Sequence, residues 1–144
     1  MSQKSALIIK GFIQDIQRDL ADYQNLHQLL QVQHQNMLHR NGEKLSAMTE
    51  PHQHLLQQLQ QRADQRTRLL LQLGLDNSPE SVNRVISTLP ANYRHLVDSK
   101  WNQLKALVHT CMAQNDRNSR LLAMQQDILT QVLHQDSDAT YQPV

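Results

Sequence analysis

Apolar side chains recur along the last third of the chain at alternating spacings of four and three residues. The segment from Trp101 to Leu133 contains neither glycine nor proline. This heptad pattern is typical of a long helix that packs lengthwise against other helices. The seam is apolar at both ends and polar in the middle, and it consists of Val97, Trp101, Leu104, Val108, Cys111, Asn115, Asn118, Leu122, Gln125, Leu129 and Val132.

The same periodicity predicts two further long helices. The first extends from about Ser2 to Arg40 and the second from about Glu50 to Leu73, whereas the last begins near Ala91 and ends at His134 or Gln135. Short helical pieces are expected at residues 43–48 and 79–89. We therefore predict an all-α fold, an elongated antiparallel bundle or coiled coil of three long helices with short connecting helices.

Glycine, proline and capping residues predict where the helices end. Asn41-Gly42 is expected to stop the first helix, because both residues tolerate left-handed backbone geometry. Thr49 is predicted to cap the second helix, with Pro51 in its first turn, and Gly74 to end it. Ser78 and Pro79 are predicted to open the short helix that follows, and Pro90 interrupts it.

Length and composition limit the classes of protein to which the chain can belong. The 144 residues favour one helical domain at 1–135, followed by a flexible tail at 136–144 where the periodicity is lost. A net charge of +1 gives no basic field for nucleic acid. The apolar runs are too short to insert into a membrane or to form a signal peptide, so we expect a cytoplasmic protein.

Candidate catalytic and metal-ligating residues do not form a recognisable site. Cys111 lies on the apolar seam, and His109 falls on another helix face, so the cysteine is expected to be a small core residue. His52 and His54 also point to different faces. Because Glu occurs at only three positions, a carboxylate-rich metal site is not expected. We predict no enzyme activity, no metal and no cofactor.

Other polar residues permit two interpretations each. His27 and His34 on the first seam either form a pH-sensitive joint or are half-buried residues that fix register. The acidic stripe on the first helix and the arginines on the second are either solvated faces or interhelical contacts. These two clusters are Asp15, Asp19 and Asp22 on one helix, and Arg62, Arg66 and Arg68 on the other.

Four consecutive polar residues, Asn115 to Asn118, interrupt the apolar last helix. They are either a register-setting polar layer, or a surface on which a partner helix supplies the missing hydrogen bonds. The sequence does not decide between these interpretations.

The order of these features resembles the FlgN family of flagellar export chaperones. The resemblance covers nearly the whole chain and is most specific in the last helix. It rests on an L-G-L turn at Leu73–Leu75, W-x-x-L at Trp101–Leu104, N-x-x-N-x-x-L-L at Asn115–Leu122, and a tyrosine, Tyr141, in a short tail. Pro143 departs from the tail common in the family.

The resemblance implies a chaperone that holds the hook–filament junction proteins FlgK and FlgL unassembled and brings them to the flagellar export gate. Cargo would bind mainly on the last helix, which can cover an apolar helical stripe of its partner. Tyr141 would either be an exposed ring without a role or the anchor that docks on the export gate. The expected cargo-binding residues are Leu107, Asn115, Asn118, Leu121, Leu122, Ile128 and Leu129.

Two other functions are compatible with parts of the pattern. A structural coiled-coil adaptor or tether would show the same heptads, and a cofactor-binding helical bundle would need more ligands than this chain offers. The sequence leaves the oligomeric state open, including a homodimer.

Overall fold

The computed structural model describes residues 3–140, and within that range it contains four helices and no strand. The helices are α1 (Gln3–Leu38), α2 (Gly42–Gln72), α3 (Pro79–Ser87) and α4 (Ala91–Thr140). The predicted all-α class and the three long helices are confirmed.

Helix α1 lies between α2 and α4 and packs against both. Helix α2 runs antiparallel to α1, since Asp19 in the middle of α1 pairs with Arg62, whereas Asn36 near the end of α1 contacts Met48, which precedes Arg62 in α2. Helix α4 runs parallel to α1. Three contacts between these helices each join residues that are 88 positions apart: Tyr23 with Cys111, Leu30 with Asn118, and Met37 with Gln125.

Two apolar clusters hold the three long helices together. The larger cluster lies where α1 begins, around the fully buried Phe12, and includes Leu70 of α2 and Leu104 of α4. Helix α3 closes this end of the bundle by burying Val82, Val85 and Ile86. The smaller cluster, further along the bundle, consists of Leu26, Leu30, Leu59 and Cys111.

Local signals correctly predicted the end of α2 and the start of α3. Gly74 has a φ of 75° and follows the helix. The Gly74 N–H donates to Leu71 O at 3.0 Å and the Leu75 N–H to Leu70 O at 2.9 Å, which is a Schellman motif. The Ser78 hydroxyl accepts from the Ser81 N–H at 3.3 Å, as expected of an N-cap.

The turn between α1 and α2 differs from the prediction. The residue with left-handed backbone geometry is Arg40, which has a φ of 53°, and neither Asn41 nor Gly42 has a positive φ. The Asn41 N–H donates to Asn36 O at 2.8 Å, so Arg40 occupies the position usually taken by glycine. Asn41 instead caps α2, since its side-chain oxygen accepts from the Lys44 N–H at 3.1 Å.

The predicted break near Thr49 was wrong, because α2 continues through it and includes residues 43–48. The Thr49 hydroxyl does not cap; it donates to Leu45 O in the preceding turn at 3.3 Å. Pro51 lies inside the helix. Both Pro51 and Ala47, the residue whose carbonyl loses a helical donor, are exposed, so water can hydrate that carbonyl and the helix continues.

Helix α4 extends to Thr140, beyond the predicted end at His134 or Gln135. Within the predicted tail at 136–144, the backbone is therefore helical as far as residue 140. Tyr141 and Pro143 lie outside the described residues.

Candidate helix-binding surface

The end of α4 extends past the end of its partner helix. The offset of 88 residues places Leu38, the last residue of α1, level with residue 126 of α4. Helix α4 continues to Thr140, so about four more turns, or roughly 20 Å, have no α1 residues beside them.

This extension and the turn before it carry an exposed apolar stripe, which we call the distal α4 surface. Its members follow one another at helical spacing and therefore share one side of the helix. Contiguous apolar surface of this kind marks interaction sites in soluble proteins. The distal α4 surface consists of Leu122 (41% exposed), Ile128 (45%), Leu129 (59%), Val132 (54%) and Leu133 (60%).

The predicted cargo residues separate into an exposed and an inward-facing set. Leu122, Ile128 and Leu129 belong to the distal α4 surface, and Asn115 is exposed two turns before Leu122 on the same side of the helix. Leu121 is half-buried. Leu107 packs against the smaller apolar cluster, and Asn118 is buried.

Asn118 forms a polar layer between α1 and α4. Its side-chain nitrogen donates to Leu30 O and to Gln33 Oε1, both at 2.9 Å. Its side-chain oxygen accepts from Gln114 Nε2 at 2.9 Å and lies 3.0 Å from His34 Nδ1. Four partners fill the hydrogen-bonding capacity of the amide, so this buried layer has the geometry of a register-setting contact.

Gln125 makes the last of the described contacts between the α4 seam and α1. Its side-chain nitrogen donates to Met37 O at 2.8 Å, in the last turn of α1, where carbonyls lack helical partners. Beyond this contact the seam positions on α4 are exposed. The alignment of α1 and α4 therefore decides which part of one continuous heptad seam is available to a partner.

The acidic stripe of α1 and the arginines of α2 meet in the interior. Asp19, 1% exposed, pairs with Arg62 at 2.8 Å and also with Arg66, and Arg62 reaches Asp22 at 2.8 Å. Arg68 is exposed and is not part of these ion pairs. These contacts support the interhelical interpretation of the charges and fix α2 on α1.

Among the described residues, the cysteine and the potential metal ligands do not form a catalytic or metal-binding site. Burial raises the pKa of the Cys111 thiol, which disfavours the reactive thiolate. Within residues 3–140, no group of three or more His, Cys, Asp or Glu side chains could hold a metal ion. No helix in the described part of the chain is long and apolar enough to cross a membrane.

Sequence reasoning missed two members of the surface, Val132 and Leu133. Val132 was already a seam residue, and the predicted first helix, from Ser2 to Arg40, was shorter than the predicted last helix, which begins at Ala91 and ends at His134 or Gln135. That difference in length was the available signal that the end of the seam would lack a partner.

A helical bundle that leaves an apolar helix stripe uncovered has the form expected of a helix-binding protein. The family model described as FlgN protein matches residues 1–142. The chain therefore belongs to the FlgN family, and its general role is that of a flagellar export chaperone that binds hook-associated proteins. No curated protein and no solved structure matches the chain.

Proposed function

We propose that this chain is a cytoplasmic chaperone that binds the helical termini of FlgK and FlgL, prevents their premature assembly and delivers them to the flagellar export gate. The observation that carries this proposal is the distal α4 surface, which continues the packed seam beyond the end of α1.

A cargo helix would occupy the position that α1 leaves empty. Helix α1 lies beside α4 as far as residue 126, and beyond that level the apolar residues of α4 still have the spacing that accepts a parallel or antiparallel helix. Terminal segments that are disordered before assembly would fold onto this stripe, and the ordering cost would keep binding reversible.

The inward-facing predicted residues then act indirectly. Asn118 and Leu107 hold α4 in register on α1, and this register determines how far the distal surface projects. Asn115 and Leu121 border the stripe and are proposed to contact the edge of the cargo helix.

The test uses Leu129→Asp and Leu133→Asp together, two residues that are each more than half exposed. Calorimetry should show roughly a hundredfold weaker binding of full-length FlgK, because charge replaces desolvated apolar contacts. The free energy of unfolding should stay within about 0.5 kcal/mol of the parent value.

The matched control is Leu71→Asp on α2, which alters an equally exposed leucine (62%) away from the surface. It should leave FlgK affinity unchanged, and FlgK lacking its terminal helix should not bind the parent chain. Unaltered affinity in the α4 variant would place the cargo site elsewhere.

We also propose that Tyr141 docks the loaded chaperone on the export gate, since tyrosine offers a large contact area at low entropic cost. Tyr141→Ala should leave cargo affinity unchanged and weaken binding of the cargo complex to the purified gate component. An equal loss in both affinities would assign the tyrosine to the cargo site instead.

A further inference from the structure

An apolar groove lies at the end of the bundle opposite the distal α4 surface, between the beginning of α1 and the beginning of α4. It has a volume of about 590 Å³, and we call it the basal groove. Its apolar lining comes from both helices and from the α3–α4 turn, and includes Ile9, Ile13, Leu89, Tyr93, Leu96 and Val97.

The walls of the groove are two helical ridges. On α1, Ala6, Lys10, Ile13 and Gln17 follow at spacings of four and three, and on α4, Tyr93, Leu96 and Lys100 do the same. Parallel ridges with this spacing accept the side chains of another helix. The α1 wall from Ala6 to Gln17 is about 17 Å long, which matches three turns of a bound helix.

The groove retains apolar surface that the described residues do not cover. Tyr93 is 58% exposed and Leu96 is 54% exposed, whereas Ile9 and Val97 beneath them are buried. A buried floor with exposed apolar edges is the arrangement found in grooves that hold an amphipathic helix.

The charged side chains that line the groove are both positive. Lys10 stands on the α1 wall and Lys100, half-buried, on the α4 wall. The offset of 88 residues places Lys10 level with residue 98, within about 3 Å of Lys100 along the bundle. The two lysines therefore lie on the two walls of the groove at nearly the same height along the bundle.

No carboxylate among the described residues lines the groove. The two nearest along the helices face elsewhere. Asp15 is buried beside the arginines of α2, and Asp98 lines depressions on the other side of α4 with His95. The lysines thus remain available to acidic groups of a partner.

We propose that the basal groove binds an amphipathic helix of a partner protein whose apolar stripe is flanked by acidic side chains. This site goes beyond the proposed cargo surface. Leu96 and Leu129 are separated along α4 by about 50 Å, so a chaperone loaded at the distal end can bind a second helix at the basal end.

The probe is a set of three synthetic helical peptides with the same leucine stripe, flanked by Glu, by Gln or by Lys. Fluorescence anisotropy with the full chain should give micromolar binding of the Glu-flanked peptide. The Gln-flanked peptide should bind about tenfold more weakly, because two ion pairs are lost, and the Lys-flanked peptide weakest.

The test variant is Lys10→Glu with Lys100→Glu, which should reverse the preference toward the Lys-flanked peptide. The matched control is Lys44→Glu with Lys105→Glu, two exposed lysines outside the groove, which makes the same change in net charge. It should keep the original order of affinities. Leu96→Glu should abolish binding of the Glu-flanked peptide and provides a second variant in case the lysine pair alters folding.

Three results would overturn the proposal: no binding of the Glu-flanked peptide, equal binding of the Glu- and Lys-flanked peptides, or the same loss in the control. The distal surface is tested separately. Leu129→Asp should leave peptide affinity unchanged, and Lys10→Glu with Lys100→Glu should leave FlgK affinity unchanged. Failure of one site is thus distinguishable from failure of the other.

Discussion

The buried ion pairs between α1 and α2 allow a quantitative prediction for Asp19→Asn. This change keeps the shape of the side chain and removes its charge at a position that is 1% exposed. The carboxylate accepts from Arg62 and from Arg66, whose side chains are 14% and 17% exposed. Each charge-assisted hydrogen bond contributes about 1.5–3 kcal/mol.

The expected loss is smaller than the sum of two such bonds. Arg62 keeps its pair with Asp22 at 2.8 Å, and the partly exposed arginines can recover some hydration. Arg66 has no second ion-pair partner among the described residues and stays largely buried. We therefore expect Asp19→Asn to lower the free energy of unfolding by about 3 kcal/mol.

Asp22→Asn is the matched control, because its side chain is 21% exposed and it pairs only with Arg62 among the described residues. It should cost about 0.5–1 kcal/mol. Urea denaturation followed by circular dichroism is the suitable assay, since guanidinium would screen the charges.

Equal losses in the free energy of unfolding for the two variants would refute the argument that burial strengthens the Asp19 ion pairs. A gain in stability on Asp19→Asn would show that desolvation of the ions outweighs their attraction.

Four further changes test other parts of the fold. Burial raises the pKa of Asp15 above its ordinary value of 3.8, and its Oδ2 lacks a hydrogen-bond partner. As pH rises, the folded state must bear the cost of the charged Asp15 carboxylate, and this lowers the free energy of unfolding. Asp15→Asn should therefore raise the free energy of unfolding by about 1 kcal/mol at neutral pH. Urea titrations should show this gain vanish at pH values below the ordinary pKa of aspartate, where the carboxyl is protonated in both states. Arg40→Gly should relieve the left-handed φ of 53° and raise stability by about 0.5–1 kcal/mol in thermal unfolding, whereas Gly74→Ala should lower it by about 1 kcal/mol. Asn118→Ala should cost about 2 kcal/mol in urea, against less than about 0.5 kcal/mol for the exposed Asn115→Ala; equal costs would argue against the buried polar layer.

The sequence by itself determined the helical class and the features that depend on neighbouring residues. The heptad seam of α4 follows from its own spacing. The end of α2 at Gly74 and the start of α3 at Ser78 follow from local hydrogen bonds. The same local reasoning failed at Thr49 because a cap and a helix-internal threonine have similar neighbours, and the cap at Asn41 was already sufficient to begin the helix.

Only the tertiary structure decided which seam residues are buried. Asn115 and Asn118 are equivalent in the heptad pattern, yet Asn118 alone meets α1, because the two helices align at an offset of 88 residues. That offset also exposes the end of α4 and places Lys10 beside Lys100 across the basal groove. Such alignments depend on the packing of residues far apart in the chain, and each helix's own periodicity is compatible with several of them.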